Sequence, residues 1–89
     1  MARYYGFAYD PDCLAYLRTL PQKIRKQIIT KIQKLAANPY PSTAKLMKGM
    51  KDCGGRVYRE RSGDYRILYV VRDTIVVVLD IDHRKDVYR

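Results

Sequence analysis

Between Cys13 and Lys51 the chain has no aspartate or glutamate, yet nine of its 18 lysines and arginines fall there. The net charge of +9 on 89 residues is therefore concentrated, not spread. A field of one sign attracts polyanions: nucleic acid first, an acidic protein second, a membrane surface third. The other scarcities narrow the chemistry. One histidine and two cysteines, Cys13 and Cys53, give neither metal-ligand spacing nor a disulfide framework, so a zinc site and a stapled fold are set aside and both thiols are read as reduced. No apolar run approaches the length of a membrane span. The start, MARYYGFAYD, has charged and polar residues where a leader is apolar, and the expectation is a cytoplasmic protein without a membrane partner. There is no Gly-rich phosphate loop, no nucleophile elbow and no acidic dyad.

What remains is ordinary material for one small domain over residues 1–89, with 47% hydrophobic residues to fill a core. RYYGFAY (3–9) reads as a strand. Asp10-Pro11 then starts a helix, because Asp caps and Pro fits the first helical position. Pro21 ends it early. A second helix is expected from about Pro21 to Asn38, with Ile24, Ile28, Ile32 and Leu35 on one stripe of 3.6-residue period. Residues 39–55 are rich in turn formers and read as a connecting segment with one short helical turn around Leu46-Met47. Three β-rich runs follow, RVYRER (56–61), YRILYVVR (65–72) and IVVVLDID (75–82), joined by short turns as in an antiparallel meander. The last run is apolar on both faces through Leu79 and so belongs inside the sheet. The expected fold is α+β, with a strand, a two-helix hairpin and a meander of three or more strands, the helices packed on one face.

Strand alternation puts Arg59 and Arg61 on one face with Val57, and Tyr58 and Glu60 on the other. Arg66 alternates with Tyr65 and Ile67. If the helices cover one face, the three arginines gather on the open one, and the end of the last strand is expected to bring His83, Arg84 and Tyr88 beside them. Gathered like charges repel unless an anion compensates, and phosphate is the anion that arginine grips best. Taken singly, each arginine is an ordinary solvated strand residue and the histidine an ordinary surface one; the cluster is what carries the argument. Arg, His and Tyr together suit cleavage of RNA by its own 2′-hydroxyl, which needs proton transfer, positive charge on the transition state and a flat group to stack a base, with no cofactor and no metal.

SGDYRILY followed by IVVVLDIDHRKDVYR, with KLMKGM upstream, resembles the RelE branch of the RelE/ParE toxin superfamily. From Tyr58 onward the likeness is in residues, and before it in layout only. The terminal H-R-x-x-x-Y is what favours RelE over other branches. The resemblance implies the toxin of a type II toxin–antitoxin pair: an endoribonuclease that enters the ribosomal A site and cleaves mRNA, inhibiting translation. It also implies a neighbouring antitoxin that neutralises it through an acidic amphipathic segment, the complex repressing its own operator DNA. By position, Arg59 and Arg61 match basic strand residues at the phosphate, Arg66 the arginine that stabilises the transition state, Arg84 a tail arginine at the phosphate or leaving group, and Tyr88 the tyrosine that stacks on the mRNA. The best-known member has lysines at the positions of Val57 and Arg59, one of them its proposed base. Arginine is always protonated and makes a poor base, so His83 is the expected substitute. Lys23, Arg25, Lys26, Lys31, Lys34, Lys45, Lys48 and Lys51 form the expected ribosome- and RNA-binding surface. Two other readings stay open: a ParE-like gyrase inhibitor, and a module that only binds its antitoxin.

Overall fold

Asp10 opens the first helix as its sequence requires. Its carboxylate accepts from the Asp12 backbone N–H at 2.9 Å, and Pro11 takes the first helical position. The structure, a computed structural model, describes residues 5–52 and 55–83. Strand β1 (Gly6–Tyr9) leads into helix α1 (Pro11–Thr19) and then helix α2 (Gln22–Ala37). Strands β2 (Lys45–Asp52), β3 (Gly55–Ser62), β4 (Tyr65–Arg72) and β5 (Ile75–His83) follow. They form one five-stranded sheet in the order β1-β5-β4-β3-β2. The β2–β5 meander is antiparallel, and β1 closes one edge by pairing parallel with β5.

Both helices pack on the same face. Cys13 and Leu17 of α1 and Ile28, Ile32 and Leu35 of α2 meet Ile67, Tyr69, Val76, Val78 and Ile81 of the sheet in one buried cluster. The expected stripe of α2 is thus the core stripe, with Ile24 partly buried at its edge. Tyr69 is buried with its hydroxyl satisfied: it donates to the Pro39 carbonyl at 2.7 Å and ties the segment after α2 to the middle of the sheet. Tyr58 stacks on Tyr69 with ring centroids 5.9 Å apart, and Tyr40 meets Tyr58 edge-on at 5.3 Å.

The expected helical turn at Leu46-Met47 is wrong. Those residues lie in β2, where Leu46 opposes Tyr58. The glycine that suggested a loop marks an irregularity inside a strand: Gly49 has φ 80° where the β2–β3 register shifts between Leu46 and Lys51. The two tight turns match their sequences. Ser62 pairs with Tyr65 across a two-residue loop whose first member, Gly63, has φ 59°. Arg72 pairs with Ile75, and Asp73 takes φ 49°, which aspartate tolerates. β5 is hydrogen-bonded on both sides, as its apolar run implies.

Candidate nucleic-acid interface and active site

The register decides which side chains meet. Lys45 opposes Arg59, and Arg61 opposes Arg66, so alternation puts these four cations on the face away from the helices. That face is not uniformly polar, since Val57 and Val70 share it by alternation and are buried. Arg61 is exposed and Arg59 half-buried, whereas Arg66 is only 7% exposed. Arg66 stands in register with Arg61 on one side and Asp82 on the other. A like-charge neighbour is unfavourable and a carboxylate opposite offsets it. Sequence reasoning missed this acid. The signal was present in DID, where residues two apart on a strand share a face, so Asp80 and Asp82 fall on the arginine side.

The same register corrects the placement of His83. It opposes Tyr65, and the two rings meet edge-on with centroids 4.9 Å apart. Tyr65 packs against the core cluster, and Ile81, two residues before His83, is part of it. His83 therefore lies on the helix-covered face, across the sheet from Arg66, and not beside the arginines as expected. The physical reason is alternation, since one step of register reverses the face. Arg84 and Tyr88 lie outside the described residues.

A cleft of about 310 Å³ opens beside the arginines, lined by Lys31 of α2, Thr43 of the following loop, Lys45 of β2, and Arg59, Glu60 and Arg61 of β3. Its position follows from the ladder. β2 begins at Lys45 opposite Arg59, so Glu60, Arg61 and Ser62 have β4 on one side and no β2 partner on the other, among the described residues. Three consecutive side chains of one strand can then reach a shared opening. The depression continues on both sides of Lys31: toward Lys34, Arg61 and Gly63 at the β3–β4 turn, and toward Lys34, Asn38 and Pro41 at the end of α2. Of the expected basic residues, Lys31, Lys34 and Lys45 thus join Arg59 and Arg61. Lys23 and Lys26 are exposed on α2. Arg25 is half-buried and donates to the Arg18 carbonyl at 3.4 Å, a contact that ties the two helices together. Lys48 and Lys51 fall in β2.

Among the described residues Glu60 is the acid in this basic cleft, and it is 4% exposed. Its Oε2 accepts from the Thr43 hydroxyl at 2.6 Å and its Oε1 from the Arg61 backbone N–H at 2.9 Å. Behind it, burial raises the pKa of Tyr69, and the charge of Glu60 adds to that rise. Cys13 is a different case. Burial, followed by the charges of Asp80, Asp10 and Asp82, pushes its thiol from 9.0 up to about 12. A thiol held neutral is no nucleophile.

Known proteins share this chain's sequence pattern and fold. The family model of the ParE toxin of the type II toxin–antitoxin system parDE matches residues 8–88. A putative RelE-like toxin protein of Escherichia coli is 32% identical over 88 residues, spanning 94% of this chain and 90% of that protein. Among solved structures, the archaeal RelE–RelB complex from Pyrococcus horikoshii superposes with a TM-score of 0.77 at 25% identity, covering 94% of this chain and 97% of that one. The toxin–antitoxin complex RelBE2 from Mycobacterium tuberculosis gives 0.75 at 26% identity, covering 94% and 95%. The intact E. coli RelBE complex gives 0.71 at 28%, covering 89% and 95%. With nearly the whole chain matched in sequence and in fold, this protein belongs to the RelE/ParE superfamily of type II toxin–antitoxin toxins, as a RelE-like member.

Proposed function

We propose that this toxin is a metal-independent endoribonuclease that cleaves mRNA in the ribosomal A site through attack of a 2′-hydroxyl on the adjacent phosphate. The observation that carries the reading is the row of cations Lys45, Arg59, Arg61 and Arg66 on the sheet face opposite the helices, beside a cleft with Lys31. A phosphate placed there meets several charged donors at once, and such donors act most strongly where charge develops in the transition state. Arg59 and Arg61 are assigned to the phosphate, Arg66 to the same charge from its buried position. Arg84 and Tyr88 keep the roles the resemblance implies, at the leaving group and on the base. Lys23, Lys26 and Lys34 extend the positive surface over which a large RNA particle would dock.

The partner that restrains the toxin is its antitoxin. The solved relatives from P. horikoshii, M. tuberculosis and E. coli are complexes with RelB. Here an acidic amphipathic segment would find apolar anchors in the exposed Phe7 and Ile75 at the β1 edge, and in Tyr40 and Leu46 at the other. A second reading, gyrase inhibition, is favoured by the family model, which describes ParE. Inducing the chain in cells and mapping mRNA ends by primer extension separates the two. The nuclease reading expects new ends within translated codons that vanish in the Arg59→Ala, Arg61→Ala double variant. Intact messages, with purified gyrase losing its supercoiling activity when the chain is added, would replace it with the second.

A further inference from the structure

The cation cluster can hold a phosphate, but a protonated arginine or lysine takes up no further proton. By alternation Glu60 and His83 both stand on the helix-covered face, and of the two only Glu60 is among the described residues that line the cleft. We infer that Glu60 is the proton acceptor of the cleavage step, an inference that rests on the nuclease reading above. Glu60 lines the same cleft as Arg59, Arg61, Lys31 and Lys45. Its side chain is fixed by the Thr43 hydroxyl and the Arg61 backbone N–H, one on each oxygen. A carboxylate oxygen accepts at two positions, so each keeps one for a substrate hydroxyl. This arrangement differs from a carboxylate buried for packing, which would be enclosed by apolar neighbours or matched to one cation. Here the charged groups around it are arranged about an opening: Lys31 and Lys34 from α2, Lys45 from β2, Arg59 and Arg61 from β3, with the Tyr69 phenol behind.

The step balances. The 2′-O–H bond of a ribonucleotide in the cleft breaks and its proton passes to a free position on Glu60. The 2′-oxygen forms a bond to phosphorus, and the bond from phosphorus to the 5′-oxygen breaks with its electron pair on oxygen. That oxygen takes a proton from water, and the hydroxide is neutralised by the proton from Glu60. The products are a 2′,3′-cyclic phosphate and a 5′-hydroxyl. A 2′-deoxynucleotide at the same place binds and is not cut.

The experiment is single-turnover cleavage of ribosome-bound mRNA by the parent, Glu60→Gln and Thr43→Val, with a thermal melt of each protein. Glu60→Gln keeps the size of the side chain, and its amide can still meet both Thr43 and the Arg61 N–H. Its rate falls about a hundredfold, while binding to the programmed ribosome is unchanged. Thr43→Val costs about tenfold or less, because the acid remains. Glu60→Gln cutting within about threefold of the parent overturns the inference. Equal losses in the two variants overturn it as well, since that pattern belongs to a group that only positions Arg61. A parent that leaves mRNA whole overturns the nuclease reading itself.

Discussion

Arg61 and Arg66 face each other across two strands, yet their environments make them respond differently to removal. Arg61 is exposed, and its loss removes charge from the proposed phosphate site but costs little stability. Arg66 is buried with Asp82 in register, and Arg66→Ala leaves that acid facing no cation on β4. Urea titration is expected to show Arg66→Ala less stable than the parent by about 1–3 kcal/mol, and Arg61→Ala within about 0.5 kcal/mol. Cys13 gives a second test. In a Cys53→Ser background, iodoacetamide at pH 8.5 leaves the native protein unlabelled and labels it in denaturant. The sign for stability follows from the same cause. The folded thiol titrates about 12 against an ordinary 9.0, so the unfolded chain releases its proton first. The stability contribution is whole below pH 9.0 and is lost as pH rises toward about 12. At this scale the sequence was readable where chemistry is intrinsic, as with arginine that cannot serve as a base. It was unreadable where the answer depends on register, as with His83 and Asp82.

The elements announced themselves unequally. α1 was legible because its start and stop are coded by Asp10, Pro11 and Pro21, and α2 because its isoleucines repeat on one face. Asp10→Ala, which removes the cap on Asp12, is expected to lower stability by about 1 kcal/mol in a thermal melt. β2 was illegible because an edge strand is short in apolar residues and Gly49 interrupts it at a positive φ, which reads locally as a turn. Only its partner β3 reveals it, and that pairing is not local information. The consequence is functional as well as descriptive. Because β2 starts opposite Arg59, the rest of β3 is left open to the cleft, and Glu60 acquires a position there that alternation alone does not predict.

Across the whole molecule, charge and fold are segregated in a way that composition only hinted at. The acid-free stretch from Cys13 to Lys51 supplies α2, the loop and β2, which border one side of the cleft, while β3 supplies the arginines and Glu60. The superfamily and its α+β architecture are legible in the sequence, because GDYR and the terminal pattern are local strings. How the site is put together is not, because it depends on which strands pair. If the groove along α2 carries RNA phosphates, Lys31→Gln with Lys34→Gln weakens binding to programmed ribosomes and flattens its salt dependence by ~0.7 in log–log slope for each phosphate that is no longer neutralised. The most direct test of the central claim uses purified chain and ribosomes stalled on a defined mRNA, with fragment ends read at nucleotide resolution. The account predicts cuts within the A-site codon, ending in a cyclic phosphate and absent without ribosomes. Full-length mRNA at every toxin concentration, with translation undisturbed, would contradict it.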